Sequence, residues 1–154
     1  AGLTSQQASA VAIGNSAGYT SQQTNAVAIG NSAGNSGQND SAVAIGYYAG
    51  ATSQATYSVA IGYDTGKTSQ MSSSVAIGQY AGQTSQGVYS VAIGYGAGQT
   101  SQAGYSIVLN ASGNQLNPVN TGFYVKPIRG LPLGIGTNRL YYDPISCEIT
   151  YSTN

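Results

Sequence analysis

The chain of 154 residues, enough for one or two small domains, carries four Lys or Arg against four Asp or Glu, one Cys and no His. Only 5% of its residues are charged, against roughly a quarter in an ordinary globular domain. No excess of positive charge marks a nucleic acid partner, no apolar run of about eighteen residues marks a membrane insertion, and the lack of His excludes catalytic triads and most metal sites.

Ala1-Gly2-Leu3 stands in the phase of Ala17-Gly18-Tyr19, so the chain opens inside a repeat and is expected to belong to a longer protein. Val-Ala-Ile-Gly begins at Val11, Val27, Val43, Val59, Val75 and Val91, and a degenerate copy, Ile-Val-Leu-Asn, begins at Ile107. Every interval is sixteen residues. Thr-Ser-Gln recurs in phase at Thr4, Thr20, Thr52, Thr68, Thr84 and Thr100, with Ser36-Gly37-Gln38 in one copy. Ala-Gly recurs at Ala17, Ala33, Ala49, Ala81 and Ala97. Self-similarity at a fixed short period implies a solenoid in which each unit is one stacked step.

In an extended Val-Ala-Ile the Val and Ile share one face and the Ala takes the other, so both faces are apolar, as in a strand covered on both sides. The following Gly ends the strand, Ala-Gly supplies a second bend, and Thr-Ser-Gln reads as polar and β-tolerant. Helix is excluded by two Gly per unit and by the absence of a 3.6-residue recurrence. The predicted coil is therefore an inner strand with Val and Ile filling the inside, a turn, a polar outer strand and a turn. Stacked coils place Val over Val at about 4.8 Å. The Ala face then needs cover, and identical chains around an axis are the expected cover, giving a homo-oligomer whose number of chains the pattern leaves open.

These repeats, Ser/Ala-Val-Ala-Ile-Gly followed by a small-residue turn, resemble those in the head domains of trimeric autotransporter adhesins over about residues 4 to 113. The resemblance implies an all-β fold, a trimeric left-handed parallel β-roll (β-solenoid) with three chains side by side. The sixteen-residue unit is longer than the one those heads commonly use.

After Asn110 the pattern slips. Residues 116–154 hold Pro118, Pro127, Pro132 and Pro144 together with Lys126, Arg129 and Arg139. Gly122 to Lys126 is β-rich, and Leu140 to Tyr142 with Glu148 to Tyr151, joined across Asp143-Pro144, reads as a hairpin. The expected division is a solenoid of residues 1–115 and a small β-rich C-terminal cap or tip of residues 116–154 that closes the open edge of the array. Thr121 to Arg129, Leu140 to Asp143 and Glu148 to Ser152 are similar to segments of fibre-like proteins of large DNA viruses and phage tail fibres. There such segments precede a self-cleaving intramolecular chaperone. That similarity implies an attachment fibre on the virion surface with a mature end at Asn154.

No catalytic residues, metal or cofactor are expected. Gly62 to Thr68 approaches a phosphate-binding loop but is one residue short between its glycines. Cys147 has no internal partner and reads as a half-buried strand residue. Asn39-Asp40-Ser41 and Asn110-Ala111-Ser112 are formal glycosylation acceptors. The informative residue is tyrosine, which supplies thirteen of the fourteen aromatics. In the array it falls after the strand, at Tyr47, Tyr48, Tyr63, Tyr80 and Tyr95, or just before it, at Tyr57, Tyr89 and Tyr105. A flat ring with a hydroxyl suits sugar stacking and suits a contact seam equally well. The glycan-binding candidates are Tyr141, Tyr142, Phe123, Tyr124 and Arg129 in the cap and Tyr47, Tyr63 and Tyr95 in the array. The competing role for tyrosine is a ladder that protects an inter-chain seam.

The expected function is host attachment by a homotrimeric viral or phage fibre that binds surface polysaccharide. One alternative is the head of a bacterial trimeric autotransporter adhesin. Another is an ice-binding solenoid, disfavoured because adjacent Thr and Ser in a strand point to opposite faces. A glycan-cleaving enzyme is disfavoured because no acid pair is apparent.

Overall fold

The structure, a computed structural model, describes residues 1–128, 140–147 and 149–151, with the side chains of residues 140, 141, 150 and 151 left aside. Arg129 and Arg139 lie outside the described residues. In chain order the strands are β1 (Val11–Ile13), β2 (Thr20–Gln22), β3 (Val27–Ile29), β4 (Ser36–Gln38), β5 (Val43–Ile45), β6 (Thr52–Gln54) and β7 (Val59–Ile61). They continue as β8 (Thr68–Gln70), β9 (Val75–Ile77), β10 (Val91–Gly94), β11 (Ile107–Asn110), β12 (Phe123–Lys126), β13 (Leu140–Tyr142) and β14 (Ile149–Tyr151). No helix occurs among the described residues.

The chain is a β-solenoid of about seven turns, one for each sixteen-residue repeat. The Val-Ala-Ile strands form an eight-stranded parallel sheet in the order β1-β3-β5-β7-β9-β10-β11-β12, and β2-β4-β6-β8 form a second parallel sheet of four. Single bridges carry the second sheet on from Thr68 to Thr84 and Thr100, and back from Thr20 to Thr4. The register is that of the sequence repeat: Val43 lies against Val59, Ala44 against Ala60 and Ile45 against Ile61. Any other register would break the match of like residues on each face.

Inside and outside are the reverse of the expectation. Ala28, Ala44, Ala60, Ala76 and Ala92 are fully buried within the coil, packed with Ala17, Ala33, Ala49, Ala81 and Ala97, whereas Ile13 keeps 58% of its surface exposed and Ile93 40%. The reason lies in Thr-Ser-Gln, expected to be a wholly polar outer strand. Its Gln turns inward: Gln22, Gln38, Gln54, Gln70 and Gln86 are completely buried. A coil that already contains a glutamine on every turn has room opposite it only for a methyl group. The glycine of each Ala-Gly pair completes the fit, because a Cβ on Gly18 would collide with Oε1 of Gln22 and its φ of 52° favours glycine.

Four of the buried amides share one geometry. Gln54 Nε2 donates to the Val43 carbonyl at 2.8 Å, to the Ser58 carbonyl at 3.4 Å and to Gln70 Oε1 of the next coil at 3.2 Å. Gln22, Gln38 and Gln70 repeat this arrangement, so the amides form a continuous ladder from Gln22 to Gln86. At its limits Gln22 Oε1 and Gln102 Oε1 have no protein partner.

The Ser of Thr-Ser-Gln is left-handed, with φ of 55° at Ser21 and Ser53 and 56° at Ser69. Thr20 sends its N–H forward to the Asn35 carbonyl at 2.9 Å, and Ser21 sends its own back to Thr4 at 3.1 Å. Thr and Ser are consequently both exposed in β6 and β8, instead of facing opposite ways.

The large sheet does not stop at residue 115, the expected boundary. Phe123–Lys126 adds an eighth strand, pairing Ile107 with Phe123 and Val108 with Tyr124, sixteen residues on. Tyr124 thereby falls on the inner face and packs on the last core cluster, its hydroxyl donating to the Asn120 carbonyl at 3.1 Å. Beyond it β13 and β14 form the anticipated antiparallel hairpin, with Tyr142 opposite Ile149. Cys147 is exposed and precedes β14, so it is not the half-buried strand residue expected.

Replacing Gln54 by Leu keeps the volume but leaves the buried Gln70 Oε1 without its donor and takes from Gln38 Nε2 its acceptor on the next coil, while the Ser58 carbonyl keeps the Val43 N–H. It is expected to destabilise the fold by about 2 kcal/mol or more, at about 1 to 3 kcal/mol per orphaned group, in denaturant unfolding followed by circular dichroism. A variant as stable as wild type would show that the ladder is dispensable.

Candidate functional site

Four surfaces of the solenoid present chemistry. The first is an apolar stripe. Because Ala faces inward, Val and Ile form two parallel rows on the outside of the large sheet, from Val11 and Ile13 to Phe123 and Val125. Seven steps of about 4.8 Å make this stripe about 34 Å long.

The second is a tyrosine edge beside the Ile row. Tyr47 and Tyr63 stack at 5.3 Å with planes 11° apart, and Tyr80 joins Tyr63 edge-on at 5.6 Å and Tyr95 at 6.0 Å. This brings three sequence candidates, Tyr47, Tyr63 and Tyr95, into one row. The stacked pair cover one another's faces, so what that pair offers outward is mainly edges and hydroxyls. Below them Asp64, only 7% exposed, accepts from Lys67 Nζ at 3.1 Å and Gln83 Nε2 at 3.3 Å, while Lys67 also lies 4.8 Å from the Tyr48 ring centre. Burial first, then the neighbouring Tyr48, Tyr63 and Asp64, raise the pKa of Tyr47 above the ordinary phenol value. On the opposite edge, beside the Val row, Tyr89 and Tyr105 pack at 5.4 Å, and Tyr57 is 66% exposed.

The third surface is the uncharged hydroxyl face of Thr52, Ser53, Thr68, Ser69, Thr84, Ser85, Thr100 and Ser101, all exposed, on the side of the coil away from the apolar stripe. The sequence suggests such a hydroxyl array, but strand alternation argues against it, and the left-handed serines are the reason both residues face outward after all.

The fourth is a cleft of about 700 Å³ at the C-terminal end of the large sheet, lined by Tyr105, Ile107, Gly122, Phe123, Tyr142, Cys147 and Ile149. Here the hairpin comes over the last coils and unites two cap candidates, Phe123 and Tyr142, with a tyrosine of the array. Tyr124 is turned away into the core, the Tyr141 side chain and Arg129 lie outside what is described, and Tyr47, Tyr63 and Tyr95 belong to the other edge. A hydrogen bond with Cys147 is the main influence that raises the Tyr142 pKa. The hairpin turn is held by Asp143, whose carboxylate accepts from the Ile145 N–H at 2.8 Å and from Ser146 Oγ at 2.9 Å. Those bonds, the Ile145 one first, lower its pKa. Among the described residues no group of three His, Cys, Asp or Glu is placed to hold a metal ion, and no helix is long and apolar enough to cross a membrane.

Residues 38–65 and 84–97 match the YadA head domain repeat. The chain is similar to that family. Its repeats are adhesin-like, and the matched segments run from β4 through the turn after β7 and from the bridge at Thr84 through β10. No curated protein and no solved structure gave a match. Within the YadA-like segments lie Tyr47, Tyr63 and Tyr95, whereas the aromatic cleft lies beyond them.

The lowered pKa of Asp143 fixes the sign of a pH effect. A carboxylate depressed on folding stabilises the turn above its unfolded pKa, about 3.9, and loses that contribution as the pH falls through the folded value. The protection factor of the Ile145 amide, the factor by which it exchanges more slowly than in an unstructured peptide at the same pH, is expected to fall as the pH drops through the folded pKa of Asp143 and to be low already at neutral pH in Asp143→Ala. Equal protection in the variant would assign the turn to Pro144 alone.

Proposed function

We propose that this chain is the head of a trimeric surface adhesin, a left-handed β-roll that attaches its owner to glycan on a target surface. The observation that carries the reading is the unbroken Val and Ile stripe on a YadA-like repeat. Apolar rows of this length, with scarcely a charge near them, favour burial against copies of the same chain. The repeat match favours a bacterial trimeric autotransporter adhesin head over the viral or phage fibre that the C-terminal segments resemble.

For attachment, the cleft between Tyr105, Phe123 and Tyr142 offers aromatic faces at one end of the array, where a fibre meets its target. A second reading has a specific support. The exposed Thr and Ser rows form a regular hydroxyl face, broken at Ser36-Gly37, of the kind an ordered surface such as ice would require. Thermal hysteresis of the purified protein separates this from glycan attachment.

Two experiments test the proposal. Ile61, 36% exposed in the single chain, can accept a charge there without entering the core. Ile61→Asp is expected to reduce the mass seen by light scattering to that of one chain while the circular dichroism of the coil persists, and an intact trimer would sink the assembly. Ala60→Asp, inside the coil, is expected to unfold it. For attachment, Phe123→Ala with Tyr142→Ala is expected to weaken glycan-array binding at least about tenfold, the loss of roughly 1.4 kcal/mol common at a central aromatic contact. Unchanged binding would remove the cleft from the account.

A further inference from the structure

Tyrosine stands in this solenoid at corners where the backbone does not call for it. Tyr48, Tyr80, Tyr89 and Tyr105 are left-handed, with φ of 53°, 60°, 53° and 56°, a conformation that is costly for a bulky side chain. Other coils turn the same corners with small residues: Ser16 and Ser32 at the corner of Tyr48 and Tyr80, Asn25 and Ser73 at that of Tyr89 and Tyr105. The turn is served by a hydroxyl or an amide, so the ring needs a reason of its own.

What these rings have in common is contact with further rings. Tyr48, Tyr47, Tyr63, Tyr80 and Tyr95 make an unbroken row, with successive ring centres 4.5, 5.3, 5.6 and 6.0 Å apart. Tyr89 and Tyr105 make a second group at 5.4 Å. Each group contains one pair that occupies the same repeat position on consecutive coils: Tyr47 with Tyr63, planes 11° apart, and Tyr89 with Tyr105, planes 35° apart. All four rings remain open to solvent, at 44%, 45%, 58% and 65% of their surface.

We propose that these two pairs are oxidative coupling sites, at which a one-electron oxidant of the haem peroxidase and hydrogen peroxide class joins neighbouring coils through a dityrosine within the chain. Each phenol gives one electron to the oxidant and its hydroxyl proton to water, leaving a phenoxyl radical with spin on the carbons ortho to oxygen. One ortho carbon of each ring then bonds to the other, and the hydrogen displaced from each bonded carbon passes through water to the oxygen of its own ring, restoring two phenols. The pair has lost two electrons and two protons, and one hydrogen peroxide takes them up as two waters.

The architecture favours this product over links between molecules. Stacked coils hold the two backbones about 4.8 Å apart, and half-exposed side chains change rotamer within picoseconds to nanoseconds, so a radical meets its neighbour's ring at a very high effective concentration. The longer row also feeds its stacked pair, since an electron vacancy formed at Tyr48, Tyr80 or Tyr95 has touching rings through which to reach Tyr47 and Tyr63. Tyr57 is the contrast. It is 66% exposed, more than any of the four, yet the next tyrosine at its corner is Tyr89, two coils on with Ser73 between. A link at either pair adds a covalent rung to a stack otherwise held by hydrogen bonds and, like a disulfide, restricts the unfolded chain.

The test treats the whole wild-type chain, at several protein concentrations, with a haem peroxidase and hydrogen peroxide. Dityrosine fluorescence, mass under denaturing conditions and tandem mass spectrometry of proteolytic peptides are then read. The expected product is a single chain, lighter by two hydrogen atoms for each link, with fluorescence per chain independent of concentration. Its linked peptides are expected to join Tyr47 to Tyr63 and Tyr89 to Tyr105, and its melting temperature to exceed that of the untreated protein. Tyr63→Phe keeps the ring and is expected to lose the first link and retain the second, whereas Tyr57→Phe is expected to lose neither. Coupling that follows exposure, with Tyr57 or Tyr19 among the products, would overturn the proposal. So would links chiefly between chains, a product confined to the sequence neighbours Tyr47 and Tyr48, or no dityrosine at all.

Discussion

The buried glutamine ladder is the constraint on which the rest of this structure depends. A buried amide without partners is costly, yet here each amide finds two carbonyls of its own coil, and those of Gln22, Gln38, Gln54 and Gln70 also reach the oxygen of the next amide up the stack. The arrangement works only when coils repeat in register, since Gln54 needs Gln70 above it at the spacing of paired strands. It therefore joins neighbouring turns and suppresses slippage at once. Its steric demand fixes the neighbours too: glycine beside the amide and alanine across from it, with a larger aliphatic, Val108, entering the core only beyond the ladder.

From that demand follows the placement of the larger hydrophobic groups. An interior filled by glutamine and alanine leaves the Val and Ile of each repeat outside, and these residues then form a surface where a globular protein would have a core. A solenoid this thin stabilises itself by backbone ladders and amides, while its most apolar groups remain on the outer face of the large sheet. Tyrosine borders that surface on both sides, and the polar hydroxyl sheet occupies the far side of the coil. One chain thus separates an apolar face from a hydroxyl-rich one.

The C-terminal end shows how an array is closed. Tyr124 takes the place an alanine holds in earlier turns, packs half-buried on the last core cluster and hydrogen-bonds to Asn120, while Phe123 continues the outer row. The cleft under the hairpin arises because the array ends there and the Val row is partly roofed by a different element. Its lining is drawn from three places in the chain, 105–107, 122–123 and 142–149.

Several features are determined by the sequence alone. The sixteen-residue period, the strand at each Val-Ala-Ile, the bends at the glycines and the hairpin around Asp143-Pro144 all follow from local residue type and spacing. Period-two alternation also shows that Val and Ile share a face, but it cannot say which face is inside. That was decided by Gln22 and its equivalents, whose inward turn depends on the left-handed Ser before them and on carbonyls eleven residues earlier and four later. The aromatic cleft was likewise invisible in order along the chain, since Tyr105, Phe123 and Tyr142 come together only when the last coils stack and the hairpin is set against them. Local sequence specifies where a chain bends and which residues share a side; the choice of inside depends on what fits opposite, and that is a property of the closed coil.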